Sequence, residues 1–241
     1  MSALLTTWRT TWGAELVVTA LAALYLRSVL HVGGWPLIRT VSAMAALVAA
    51  VVAVDSGVGI RAPRSFAVGV VLQLLLTVVV PALWVAGRPV ELVRRGCSER
   101  TASRLDQLGR IARTVAGPAV ALVVYALVVV LTRLTTFPVA VAASPVLSVL
   151  QQLVWLGAGL LFFRAALAPS YTVRFSLLTA ATVVTIAVGG ILASSSAGSA
   201  PTFAPDDVHR GGTILWAAGG GLLVVITAAL GVRALREGGR H

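Results

Sequence analysis

Side chains able to hold a metal or activate a nucleophile are few and scattered in this chain. It carries three histidines, His31, His209 and His241, one cysteine, Cys97, and two methionines, one of them Met1. A tight copper or zinc site needs several imidazole or sulfur donors converging on one point. His209 stands beside Asp206 and Asp207, a trio that could hold an ion weakly and with pH sensitivity. The plainer reading is that Asp207 favours a helix N-terminus through the dipole. His31, Cys97 and His241 would have to gather from an interfacial turn, a long loop and the last residue, where ordinary roles suit them better. Cys97, being single, has no internal disulfide partner and defaults to a reduced thiol. No nucleophile elbow, zinc-protease helix, phosphate-binding glycine loop or pair of aspartates within an apolar segment occurs. No catalytic residue is therefore named, and an enzyme is the least supported class. Gly219-Gly220-Gly221 falls inside an apolar stretch, where glycines serve close helix approach.

The elements that must position these residues are membrane helices. With 58% hydrophobic and 11% charged residues in 241, and a mean hydropathy of +0.96, no soluble fold has enough interior to hide this chain. A spanning helix takes about 20 apolar residues. Seven stretches qualify, at about 14–32, 37–58, 66–87, 115–135, 145–167, 174–196 and 212–235. They predict an all-α, polytopic membrane bundle forming one transmembrane domain over 1–241. Pro36, Pro63, Pro145 and Pro169 mark boundaries, whereas Pro81 lies inside the third stretch and should kink it or open its last turns.

Arginine gives the expected orientation, since basic residues stay in cytoplasmic loops. All nineteen basic residues are arginine, and only Arg9, Arg61, Arg64, Arg133 and Arg210 fall on the opposite side. The N-terminus is thus expected outside and the C-terminus in the cytoplasm, in a plasma (inner) membrane. The formal charge of +11 is then a topology signal, with no nucleic-acid partner implied, and the arginines of loop 88–114 could hold it against anionic lipid. Ser103 with Asp106 reads as a capping box, and Leu105, Leu108 and Ala112 would share one face of a short surface helix. Ala20-Leu21-Ala22 imitates a cleavage site, yet the apolar run continues to Leu30 as a spanning helix should.

The segment from Phe66 to Val90, FAVGVVLQLLLTVVVPALWVAGRPV, resembles a signature of the CtaG family of cytochrome c oxidase assembly factors. Phe66, Val68, Leu75, Leu76, Pro81, Gly87, Pro89 and Val90 match it without a gap. Gly69 and Gln73 stand where that signature carries histidines. A second patch, Asp207 to Trp216, is similar to the start of the family's last helix, with Asp207, Gly212 and Trp216 retained. Ser144-Pro145 through Phe162 resembles a helix whose family version carries further histidines, at Ser148 and Gln152 here. Trp12, Tyr25-Leu26 and Trp35-Pro36 extend the likeness toward the start. The resemblance implies copper delivery to the oxidase, with cytochrome c oxidase or another assembly factor as partner. Copper is the cofactor the resemblance implies, but its histidine ligands are missing at these four positions, and no cofactor is assigned.

Spacing places the four substituted positions together. Gly69 with Gln73, and Ser148 with Gln152, are i, i+4 pairs that each share a helix face. If the two helices pack side by side, they line one pocket in the outer half, where glutamines would act as interhelical glue worth about 0.6 kcal/mol each, with Gln151 on the neighbouring face serving similarly. Glu15, Asp55 and Arg133 near outer ends, and Arg27 and Arg164 near inner ends, are expected to snorkel to the interface. The tryptophans are expected to form the aromatic belts, Trp216 being the one with a family-specific place. A non-enzymatic assembly scaffold, or a degenerate copper-handling paralogue, leads. A small-solute or ion permease is the alternative, resting on Pro81 and the glycines at 189–190 and 219–221.

Overall fold

The computed structural model describes residues 8, 12–97, 102–104, 107, 109, 117–135, 137–166, 171–194 and 203–238. Among them every named element is a helix. These are α1 (Trp12–Val32), α2 (Leu37–Asp55), α3 (Gly57–Arg61), α4 (66–86), α5 (Pro89–Gly96), α6 (Pro118–Leu134), α7 (Phe137–Ala143), α8 (Pro145–Ala166), α9 (Tyr171–Ser194) and α10 (205–238). Six helices are long and apolar enough to cross a membrane; α6, apolar but 17 residues long, falls below that length. At 1.5 Å per residue α6 spans about 26 Å, close to the hydrocarbon thickness.

α4 is the axis of the bundle. Its first half packs on α10, and its second half on α2 and α8. Of its apolar window 61% is buried, against 6% for α1, which among the described residues packs chiefly on α2 and α5. Phe66, Val70, Tyr125, Phe162, Leu178 and Leu215 belong to one core joining α4, α6, α8, α9 and α10. Pro81 disturbs α4 as its chemistry requires, because proline has no N–H for the carbonyl four residues back. The disturbance is a π-helical stretch, Leu75–Val79, directly before the segment Val80–Ala86 that holds Pro81. α10 contains a second π stretch, Leu215–Gly219.

Several span limits differ from expectation for local reasons. α2 stops at Asp55 rather than 58, because Ser56 turns extended and its side chain accepts from Val58 N–H to start α3. α10 begins at Pro205 rather than 212: Ala204 is extended, Pro205 suits a first turn that needs no N–H, and Asp206 and Asp207 follow in that turn. The belt reading of the tryptophans is corrected at two positions. Trp155 is 2% exposed and Trp35 8%; Trp35 donates its ring N–H to Tyr25 Oη at 3.1 Å. Trp8, Trp12 and Trp216 are exposed. The expected surface helix of loop 88–114 rests on Leu105, Asp106, Leu108 and Ala112, which lie outside the described residues, as does His241.

Gly87 and Pro89 make the turn between α4 and α5. A Cβ on Gly87 would stand 2.8 Å from Ala43 Cβ, so only glycine lets α2 come this close. Its carbonyl accepts from Tyr25 Oη at 2.9 Å. Arg88 takes the left-handed conformation, φ 49°, and Pro89 opens α5.

Candidate functional site

The last turn of α6 carries Arg133 into the bundle, at the end where α4 begins. The expectation that Arg133 snorkels to the interface is overturned: it is 3% exposed. Coming from a helix shorter than its neighbours, its side chain has protein on all sides where an interface would otherwise be within reach. Nε donates to Gln73 Oε1 and Nη2 to the Gly69 carbonyl at 2.6 Å. The guanidinium lies 5.1 Å from the centroid of Phe66 and 5.3 Å from that of Trp155, distances at which ring faces attract a cation. Trp155 is held in turn by its ring N–H, 3.4 Å from Thr132 Oγ1. Among the described residues no carboxylate lies within ion-pair distance of Arg133, and its Nη1 forms no hydrogen bond.

A cavity of about 30 Å³ adjoins this guanidinium, lined by Gly69, Ser148, Gln151, Gln152 and Trp155 among others. That is room for about two water molecules. The start of α4 is fixed from α10. Asp207 Oδ2 accepts from Phe66 N–H at 2.6 Å, and Oδ1 accepts from Ser65 Oγ at 3.0 Å and Ala67 N–H at 3.3 Å. The carboxylate satisfies the first donors of α4, which have no intrahelical acceptor, and its charge complements the helix dipole. Gly211, one turn on, would set a Cβ 2.5 Å from the Phe66 ring. Phe66 is thereby pressed against Arg133 from the far side.

The four substituted positions divide. Gly69, Ser148 and Gln152 line the cavity, whereas Gln73 is 1% exposed and bonds to Arg133. No hydrogen bond joins Gln73 to Gln152, and Gln73 Nε2 is left without a partner. Gln151 is buried and also lines the cavity. A Cβ on Gly69 would lie 3.3 Å from the Ala62 carbonyl and 3.5 Å from Arg133 Nη1. A larger side chain there meets the arginine.

The other candidates lie apart from this cavity. His209 is exposed, with Nδ1 2.6 Å from the Ala193 carbonyl, and the Asp207 carboxylate faces α4 rather than His209. Asp206 is exposed in the first turn of α10. No three His, Cys, Asp or Glu side chains come together as a metal-binding group among the described residues. His31 is exposed and Cys97 half-buried. Asp55 does not reach the interface either; it is 1% exposed, with both oxygens lacking a hydrogen bond. Trp216 is exposed, while its backbone packs against Gly189.

The residue that sequence reasoning missed is Arg133. Its signal was present, since an ionisable residue inside an apolar segment is functional by default. Its place near the segment's end concealed that signal.

A family model described as cytochrome c oxidase caa3 assembly factor (Caa3_CtaG) matches residues 20–237. No curated protein and no solved structure matches the chain.

Proposed function

Because the chain belongs to the Caa3_CtaG family, we propose that it serves cytochrome c oxidase biogenesis as a non-enzymatic scaffold in the plasma membrane, contacting the oxidase or another assembly factor. It crosses the bilayer seven times as one domain, α6 included, with the N-terminus outside and the Arg133 cavity in the outer half. The arginine distribution supports that orientation.

One observation carries the scaffold reading over copper delivery. The residues at the positions where family resemblance implies histidine are a glycine, a serine and two glutamines, and a buried guanidinium stands among them. Amide oxygen is a poor match for copper, which favours imidazole and sulfur. A fixed positive charge beside the cavity opposes a second cation more strongly in a low dielectric than in water. A permease gains no support from the family match.

The reading is tested on tagged protein purified in mild detergent, with mass spectrometry of co-purifying subunits and metal analysis after a chelator wash. Oxidase subunits or assembly proteins should co-purify, with clearly less than one copper per chain. Stoichiometric copper surviving the wash would overturn the scaffold reading. Labelling Cys97 in intact cells checks the orientation, since an impermeant reagent added outside should leave it unmodified.

A further inference from the structure

A guanidinium buried without a counter-ion is costly, because the low-dielectric interior replaces its hydration only in part. Arg133 has two of its nitrogens hydrogen-bonded to neutral oxygens, and two aromatic faces beside it. None of these carries a full negative charge. Nη1 remains without a hydrogen bond, on a residue that lines the cavity together with the Ser148 hydroxyl and the Gln151 and Gln152 amides. Those side chains can donate to an oxyanion, and neither Gln152 nor Ser148 forms a side-chain hydrogen bond to another described residue. The site is one negative charge short and has donors to spare.

We propose that this cavity is a binding site for a single carboxylate group, which completes the hydrogen bonding of Arg133 and neutralises it. Charge selects a monoanion: one guanidinium among neutral side chains balances one negative charge, and a phosphate or sulfate dianion would leave another uncompensated. Shape favours carboxylate over halide, since guanidinium matches a planar pair of oxygens through directed N–H donors. The space of about 30 Å³ admits the tip of an acid rather than a bulky ester. The carboxylate arrives either on a small free acid or as an acidic side chain of a docking protein. The proposal is independent of the oxidase role, so either can fail alone.

The test is thermal unfolding of the purified full chain in detergent, titrated with sodium formate, with ionic strength held by sodium methanesulfonate. The parent should show a rise in Tm that grows with the logarithm of formate concentration and reaches about 3 °C at roughly ten times the dissociation constant. N-acetylglutamate amide, titrated in parallel, separates the sources: tighter binding of formate marks a free acid, and tighter binding of the glutamate derivative a side chain. Arg133→Met should abolish the response, but it could fold poorly. Gln152→Glu avoids that difficulty by supplying a carboxylate within the cavity; it should raise Tm without added anion and lose the response to formate. No rise in Tm with either acid, an equal rise with chloride, or an undiminished formate response in Gln152→Glu would each overturn the proposal.

Discussion

The two ends of α4 solve opposite charge problems. Beyond its lower end the single carboxylate of Glu91 is shared by Arg95 at 2.5 Å, Arg88 at 3.0 Å and Arg39 at 3.4 Å, all on a partly exposed surface. At its upper end the single guanidinium of Arg133 is buried and has no carboxylate within ion-pair distance among the described residues. A surplus of partners in contact with solvent adds little, since exposed ion pairs are worth about 0–1 kcal/mol. A deficit of partners away from solvent constrains everything nearby, because each lost hydrogen bond strands a buried group. The arrangement with fewer contacts is therefore the one on which stability and binding depend.

Substitutions at the two ends can break that contrast. Arg133→Ala should have the largest effect, destabilising by about 3 kcal/mol, since it leaves Gln73 Oε1 and the Gly69 carbonyl without donors and opens space between Phe66 and Trp155. Denaturation in detergent measures it, and a variant as stable as the parent would mean that the buried charge offsets all it holds together. Arg133→Lys should not restore the loss, because one ammonium cannot reproduce the directed fork. Asp207→Ala should follow at about 2 kcal/mol, through loss of a charged cap shared by two helices. Gln73→Leu sharpens the comparison: the sequence suggested about 0.6 kcal/mol for an amide between helices, but removing the acceptor from a buried guanidinium should cost about 2 kcal/mol. Glu91→Gln should change stability least, by about 0.5 kcal/mol or less, and a larger loss would show that the exposed arginines depend on it more than their solvation implies.

Helix positions were legible from hydrophobic length, because a bilayer demands it of each segment separately. The grouping of Gly69, Ser148 and Gln152 was legible for a similar reason: i, i+4 spacing and matched depth are local properties. The partner of Gln73 was not. Choosing between Gln152 and Arg133 required knowing that the Arg133 side chain reaches across from α6 to α4, and no periodicity within either helix reports it. Asp207 failed similarly. Its place in the first turn of α10 pointed to that helix's own dipole, whereas its oxygens cap α4 from about 140 residues away in the chain. Asp55 and Arg133 were assigned to the interface because both lie near segment ends; whether a long side chain finds water there depends on the neighbours.

The two π stretches, at Leu75–Val79 and Leu215–Gly219, amount to phase slips in otherwise regular helices. An α-helix advances about 100° per residue, so a turn that takes in one extra residue rotates everything above it by that angle relative to what lies below. α4 can therefore aim Gly69 and Gln73 at Arg133 while Gly87 still meets Ala43, two bearings that an unbroken helical phase would tie together. Deleting one residue from 75–79 should swing the upper half of α4 out of step with Arg133 while leaving the lower half in place.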